Sequence, residues 1–145
     1  MNTQKIRPIS ICLFRNGNRI LVSENFDSVK QDYFCRPLGG GIEFGESSRE
    51  AVLREIKEEI GLKIENLHLV GVLENIFVCE GQQGHEVVFV YDAEFLDKSL
   101  YEREEINGYE QEVSAHFKAK WLELAGMHER RVRLVPEKLA ELIAA

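Results

Sequence analysis

The chain has 145 residues, a length that suits one folded domain, so we expect residues 1–145 to form a single domain with its own core. With 44% hydrophobic and 30% charged residues, the composition excludes a disordered chain, and no apolar run approaches the roughly 20 residues that span a bilayer. The formal net charge of −7 disfavours nucleic-acid polymers as partners, since they need a basic surface. A small phosphorylated substrate stays compatible with this charge, because bound cations would reverse its local sign.

The N-terminal residues and the cysteines predict a cytoplasmic protein. Residues 1–11 lack the long apolar core of a secretory signal. The three cysteines are widely spaced and form no CxxC pair or zinc-binding pattern: Cys12, Cys35 and Cys79. Because Cys12 and Cys79 lie within apolar runs, we expect buried thiols, as in a reducing cytosol.

The first third of the chain predicts short strands that lead into a glycine-rich loop. Residues 6–15 have the apolar pattern of a strand, Asn16-Gly17-Asn18 a tight turn, and residues 19–23 the return strand. The polar residues 24–31 predict a loop. Residues 32–37 predict a short strand that feeds a loop with several glycines: Gly39, Gly40, Gly41 and Gly45.

Residues 47–60 predict an amphipathic helix with clear start and stop signals. Ser47 and Glu50 have the spacing of a capping box, and Gly61 suits the left-handed conformation that ends a helix. An apolar stripe repeats every four residues: Val52, Ile56 and Ile60. A second stripe is acidic, since positions three and four residues apart are helix neighbours: Glu55, Glu58 and Glu59.

The remainder predicts more strands and a closing helix. Residues 67–80 suit one long strand or two short ones, residues 81–84 a hairpin loop, and residues 85–96 a strand. The polar residues 97–114 predict a loop with one helical turn, and residues 117–124 a strand. The run Arg130-Arg131-Val132-Arg133 predicts a solvated loop, and Pro136 opens a final helix to about residue 144. These elements together predict a mixed sheet with helices packed on it.

The acidic stripe of the helix has two interpretations. Like charges at helical neighbour spacing repel, and a hard divalent cation would relieve the repulsion because Mg²⁺ prefers carboxylate oxygens. The alternative is a solvated acidic face, which is the more common outcome for charged residues on a helix considered alone.

The whole segment 40–62 favours the first interpretation. It fills every fixed position of the pattern G-x5-E-x7-R-E-U-x-E-E-x-G-U, from Gly40 and Glu46 through Arg54-Glu55-Ile56 and Glu58-Glu59 to Gly61-Leu62. By this pattern the chain resembles the Nudix hydrolases, with Leu38 inserted where many members read Pro-Gly-Gly. The resemblance implies an α/β (α+β) fold, an α/β/α sandwich with a mixed sheet and the box as loop–helix–loop.

The resemblance also implies roles for the residues of the box. The metal ligands would be the carbonyl of Gly40 and the carboxylates of Glu55, Glu58 and Glu59, holding Mg²⁺ or Mn²⁺, with more than one ion. Gly39 and Gly40 would form the cofactor-binding loop, and Arg54 would orient the carboxylates. Glu46 would complement the helix N-terminus or join the metal shell.

The family often takes one more acidic residue from a later loop, as a ligand or general base. The candidates are Glu104, Glu105 and Glu112, with Glu112 first because it is closest to the strand of Trp121. The predicted catalytic set is therefore Glu55, Arg54, Glu58 and Glu112. The general base stays open between Glu55, the late glutamate and a metal-bound hydroxide.

The resemblance implies a Mg²⁺-dependent pyrophosphohydrolase that cleaves a nucleoside diphosphate linked to X into a nucleoside monophosphate and phosphorylated X. The default substrate is a (deoxy)nucleoside triphosphate, because signatures of other subfamilies are missing; Phe77, for example, lies near the place of a diagnostic tyrosine. The alternative is a non-catalytic nucleotide-binding or regulatory domain on the same fold. A homodimer is compatible with the family. Tyr91 and Trp121 could stack on a base, although a core position suits them equally well.

Overall fold

The computed structural model describes residues 4–111 and 113–144. Its elements, in chain order, are β1 (Ile6–Asn16), β2 (Arg19–Asp27), β3 (Asp32–Arg36), β4 (Leu38–Gly41), α1 (Ser48–Ile60), β5 (Ile64–Cys79), β6 (Gln82–Phe95), β7 (Glu105–Glu110), β8 (Ala115–Glu123), β9 (Arg133–Leu134) and α2 (Leu139–Ala144). A 3₁₀ turn, Lys98–Glu102, precedes β7. Neither α-helix of the described residues has the length and hydrophobicity that a bilayer crossing requires.

The nine strands form one mixed sheet that forks at β1. The strand pairs parallel with β6 over most of its length and antiparallel with β4 over residues 9–12, and β6 pairs in turn with β5. Only the last two residues of β1 pair with β2, which carries β3 on one part of its length and β8 on another. We call β4, β1, β6 and β5 the first arm, and β2, β3, β9, β8 and β7 the second arm.

The core lies on both faces of β1, because successive strand residues point to opposite sides. Cys12 and Phe14 pack in a cluster with Val52 and Ile56 of α1. Ile11 and its odd-numbered neighbours pack in a second cluster that includes Leu139 of α2. A helix therefore covers each face of the sheet, as the sequence predicts, and burial on both faces explains why β1 is almost continuously apolar.

The local signals around α1 are confirmed. Ser47 is the N-cap, and its hydroxyl accepts a hydrogen bond from the backbone N–H of Glu50, while the Glu50 carboxylate accepts one from the N–H of Ser47. Gly61 ends the helix in the left-handed conformation at φ 65°. The β5–β6 hairpin is tighter than predicted. Its loop is Glu80-Gly81 alone, with φ values of 53° and 73° that match the twist of the flanking strands.

Several polar segments are strands rather than loops, which corrects the sequence prediction. β2 continues to Asp27, β7 occupies part of the predicted loop 97–114, and the glycine segment pairs with β1 as β4. Arg133 belongs to β9, and the last helix begins at Leu139 rather than at Pro136. These strands are short or half-exposed, so pairing with neighbours stabilises them and little hydrophobic periodicity marks them in the sequence.

A buried carboxylate ties the two arms together beside the turns of their hairpins. Asp27, at the end of β2, accepts hydrogen bonds from the backbone N–H groups of Val29 at 3.0 Å and Lys30 at 3.1 Å. Its second oxygen accepts the N–H of Glu80 in the β5–β6 turn at 3.3 Å. These bonds, that of Lys30 first, lower the pKa of Asp27 although burial opposes them.

This carboxylate generates a prediction on pH dependence. A group whose pKa is lowered by folding stabilises the protein above its unfolded value of about 3.9 and loses that effect as the pH falls through the folded value. Asp27→Asn should therefore lower the melting temperature at pH 7, and the difference from the native chain should shrink below about pH 3.9. Thermal unfolding between pH 2.5 and 7 tests it, with exposed Glu123→Gln as the control. A difference that is constant over this pH range would contradict the assignment.

Candidate metal centre

Helix α1 presents its acidic residues to the sheet as well as to solvent. The helix packs on β4, β1 and β7, with Val52 and Ile56 buried. Glu59 lies one turn beyond Glu55 on the sheet side and is only 5% exposed, an unusual position for a carboxylate. Glu58 lies further out, with 34% of its side chain exposed. The exposure of the acidic side chains thus varies along the stripe, from the solvated carboxylate of Glu58 to the buried one of Glu59.

Arg54 holds this set together. Its guanidinium binds both oxygens of Glu46, with Nε–Oε2 at 2.7 Å and Nη2–Oε1 at 2.9 Å. Nη1 donates to Glu55 Oε1 at 3.0 Å and Glu58 Oε2 at 3.3 Å, and Nη2 also donates to the carbonyl of Gly41 at 3.0 Å. The hydrogen bond from Arg54 is the main reason that the pKa of Glu46 falls to about 2. Arg54 therefore orients two candidate ligands, and Glu46 serves as its anchor.

Two positions of β4 require a glycine, each for a different structural reason. A Cβ at Gly40 would lie under 3.0 Å from the carboxylate of Glu55, so only a glycine leaves room for that carboxylate against the strand. Gly39 has φ 150°, and a Cβ there would overlap the backbone of β1 at Ser10. The geometry thus places Gly40 at the carboxylates, whereas Gly39 permits the close approach of two strands.

A fourth carboxylate, that of Glu110 on β7, acts on the acidic residues of α1. Burial, together with the negative charges of Glu110 and Glu55, raises the pKa of Glu59 to about 9. Burial also raises the pKa of Glu55, although its bond with Arg54 opposes the shift. Glu59 Oε1 is buried and has no hydrogen-bond partner among the described residues. The charges of Glu55 and Glu110 thus act on the buried carboxyl of Glu59, and the charge of Arg36 only partly offsets them.

The acidic residue of β7 whose charge acts on Glu59 is Glu110, which is not among the three candidates from sequence. Glu112 lies outside the described residues. Glu104 is exposed before β7, and Glu105 faces Lys118 of β8, at 3.7 Å between Oε1 and Nζ. Glu110 was missed because β7 was assigned to a loop. In a strand, Ile106, Gly108 and Glu110 share the face that points inward, so the period of two would have selected it.

The donor set suits a hard divalent cation. It consists of carboxylate and carbonyl oxygens, which Mg²⁺ and Mn²⁺ prefer, and a cation would supply the partner that Glu59 Oε1 lacks. Within residues 4–111 and 113–144, no three acidic, histidine or cysteine side chains converge closely enough to form a complete coordination cluster. Glu58 is turned toward Arg54, which accounts for part of this spread.

A cavity of about 480 Å³ is lined by Glu55, Glu59 and Glu110, and also by Glu24, Glu86 and Glu137. Both arms of the sheet line it, so it occupies the fork, and its size is within the range of small-molecule sites. Cationic and aromatic side chains line the remainder, among them Arg7, Lys30, Arg36, Phe34, Phe77 and Phe117. Tyr91 and Trp121 lie elsewhere. The Tyr91 hydroxyl is 2.7 Å from the Ser48 hydroxyl, and Trp121 stacks on Tyr101 with ring centroids 5.5 Å apart.

Because Arg54 contacts several groups through its planar guanidinium, we predict that its replacement lowers stability even when the positive charge is kept. Arg54→Lys keeps the charge but removes the planar fork that reaches Glu46, Gly41 and Glu55 together. We expect the free energy of unfolding in urea to fall by about 1–2 kcal/mol. Arg49→Lys is the matched control, because Arg49 lies on the same helix and makes one exposed bond, to the carbonyl of Leu67. Equal losses in the two variants would refute the orienting role.

For the buried carboxylate of Glu59 we predict that its replacement raises the free energy of unfolding, whereas Arg54→Lys lowers it. Because the pKa of Glu59 is about 9 in the folded chain and about 4.3 in an unfolded one, its ionisation destabilises the metal-free protein increasingly as the pH rises between these values. Glu59→Gln should raise the free energy of unfolding at pH 8 in EDTA by about 1–3 kcal/mol, while exposed Glu141→Gln should not.

The same pair of variants separates metal binding from packing. Saturating Mg²⁺ should stabilise the native chain and Glu141→Gln, and it should stabilise Glu59→Gln much less. A Glu59→Gln protein that is less stable than the native chain in EDTA would show that the Glu59 carboxylate is satisfied without a metal.

Comparisons with known proteins give the family of the chain. Two curated relatives are the NAD-capped RNA hydrolase NudC of Pseudomonas aeruginosa, 27% identical over 101 residues, and an RNA pyrophosphohydrolase of Ruthia magnifica, 36% identical over 62 residues. The alignments cover 70% and 43% of this chain, and 34% and 32% of those relatives. The chain thus spans about a third of the length of the curated relatives it matches.

Solved structures show the same fold at low identity. A Nudix hydrolase of Nitrosomonas europaea superposes with a TM-score of 0.65 at 15% identity, covering 97% of this chain and 87% of that one. A MutT Nudix hydrolase of Burkholderia pseudomallei gives 0.59 at 24% identity, covering 83% and 85%. The sequence profile of the NUDIX domain matches residues 5–142, which include the sheet, the box helix and the crowded carboxylates. The chain therefore belongs to the Nudix domain family.

Proposed function

We propose that this chain is a Mg²⁺-dependent pyrophosphohydrolase that cleaves a nucleoside diphosphate linked to X into a nucleoside monophosphate and phosphorylated X. The observation that carries the proposal is the unpartnered, buried oxygen of Glu59, which lines a cavity of about 480 Å³ together with Glu55 and Glu110. A buried carboxyl oxygen without a hydrogen-bond partner is costly, and it is retained where an ion or a substrate completes it. The family membership supports the same chemistry.

In this proposal Glu55, Glu58, Glu59 and the carbonyl of Gly40 hold the divalent ions, and Arg54 fixes the first two carboxylates. Bound ions supply an activated water and neutralise charge on the phosphate oxygens. Glu55 and Glu110 are the residues placed to accept a proton at a carboxylate oxygen, because each contributes to the crowded group around Glu59. Arg36 lines the cavity close enough to Glu59 for its charge to act there, so it is suited to a phosphate oxygen of the substrate.

A (deoxy)nucleoside triphosphate remains the default substrate, and the names of the relatives add NAD-capped RNA and RNA as substrates to test. The net charge of −7 disfavours a long polymer and favours a small phosphorylated nucleotide. We expect the protein to act in the cytoplasm, where its three unpaired cysteines would stay reduced. A homodimer is compatible with this proposal.

The proposal is tested by phosphate release with Mg²⁺ from nucleoside triphosphates, ADP-ribose, NAD, dinucleotides and nucleotide sugars, with a coupled phosphatase. One class should turn over, and Glu58→Gln should reduce kcat by about a hundredfold or more, because a ligand that is lost cannot stabilise the transition state. Exposed Glu123→Gln should retain full activity.

Two outcomes would oppose the proposal. Turnover that persists in Glu58→Gln would remove this carboxylate from the metal site. Silence across the panel, with no binding of Mg²⁺ or Mn²⁺, would favour a non-catalytic nucleotide-binding domain on the same fold.

A further inference from the structure

One side of the first arm carries apolar side chains beyond the end of the sheet that α1 covers. Cys12 and Tyr91 are paired on this side and are buried beneath α1. Farther along, strand register aligns three rows of residues across β5, β6 and β1: Val72–Phe89–Ser10, Glu74–Val87–Pro8 and Ile76–His85–Ile6. Paired residues point to the same side of a sheet, so these rows form one surface. We call its accessible members the open face: Ile6, Pro8, Val72, Glu74, Ile76, His85, Val87 and Phe89.

The open face is more exposed than a core position and more apolar than an ordinary surface. Val72, Ile6 and Ile76 are between 50% and 62% exposed, and six of the eight residues are apolar. β5 is the terminal strand of its arm, so no further strand of the described residues shields this edge. Contiguous apolar patches of several hundred Å² are uncommon on monomeric proteins and mark binding surfaces.

The charge of the open face restricts the kind of partner that it fits. Its eight residues include no lysine or arginine, which a nucleic acid or an anionic membrane would require. Glu74 is its one acidic residue, although the chain has 25 aspartates and glutamates and a net charge of −7. The repulsion between two copies of the chain therefore arises mainly from other surfaces, and an apolar protein surface suits this face.

The two polar residues make the open face complementary to itself. Glu74 pairs with Val87 and Ile76 pairs with His85, so Glu74 and His85 are diagonal neighbours across β5 and β6. In a two-fold dimer the same patch meets itself, and each contact occurs twice. A two-fold axis along the diagonal from Ile76 to Val87 would bring Glu74 of each copy against His85 of the other. A carboxylate would then accept a hydrogen bond from an imidazole, with apolar side chains around both.

We propose that a second copy of this chain docks on the open face through this two-fold axis. The eight residues offer roughly 600 Å² per copy, so two copies would bury about 1,200 Å², which reaches the size of specific interfaces. The cavity lies against the opposite side of β1, where Ile9 and Ile11 line it, so docking leaves its entrance free. The dimer thus does not depend on the proposed hydrolysis.

Sedimentation equilibrium of the full chain in EDTA, without substrate, tests the docking surface. The native chain should show a reversible monomer–dimer equilibrium. Val72→Lys and Ile76→Lys should each raise the dissociation constant by about tenfold or more, because an unpaired charge would enter an apolar interface. Leu96→Lys is the matched control, because Leu96 is also about half exposed but follows the far end of β6.

The polar pair tests the arrangement of the two copies. His85→Glu would place a carboxylate against Glu74 of the other copy and should raise the dissociation constant by about threefold or more. Exchanging the two residues, by Glu74→His together with His85→Glu, restores the pair and should return the native constant. Thermal unfolding of every variant checks that the fold is intact.

The possible results separate this inference from the proposed function. A chain that stays monomeric up to about 0.5 mM, where even weak specific dimers form, would overturn the dimer even if it hydrolyses nucleotides. A dimer that both lysine variants leave unchanged would overturn the docking surface, and a double exchange that dimerises no better than His85→Glu would overturn the two-fold arrangement. Weakening by both lysines, with Leu96→Lys unchanged and recovery in the double exchange, would support the proposal whatever the hydrolysis panel shows.

Discussion

The crowding of negative charge around one helix is the constraint on which the rest of the site depends. Glu55, Glu58 and Glu59 lie on neighbouring positions of α1, and β7 adds Glu110 to the group. One guanidinium, that of Arg54, offsets part of this charge and is itself fixed by Glu46 and by a carbonyl of β4. The remaining negative charge acts on the buried Glu59 and raises its pKa. Such a site is stable only because the surrounding packing holds it, and a cation would relieve it.

The forked sheet gives this charged group its surroundings. Because β1 exchanges one set of partners for another at its end, the two arms diverge and leave a cavity between them. The helix that carries the carboxylates packs on β4 and β1 of the first arm and on β7 of the second. The positions of the charged group, of the cavity and of the aromatic side chains that line it therefore follow from one feature of the topology, the early departure of β2 from β1.

Local and non-local signals explain which parts could be predicted from the sequence. The helix α1, its caps and its acidic stripe depend on contacts within four residues, and the box pattern marks them directly. β9 pairs with β3, which is distant in sequence, and β7 is a short polar strand paired with β8, so hydrophobic periodicity marks neither, and Arg133 and Glu110 were assigned to loops.

The tie at Asp27 has a consequence for how a ligand reaches the fork. The two hairpin turns that it joins belong to different arms, and Lys30 adds a bond of 2.7 Å from its ammonium to the carbonyl of Val78. Ser28 also donates to the carboxylate of Glu80. Lys30 and Val78 border the cavity, so on this side hydrogen bonds between the two turns hold its rim in place. Ligands would then exchange through a standing opening, and the shape of the cavity would be set before they arrive.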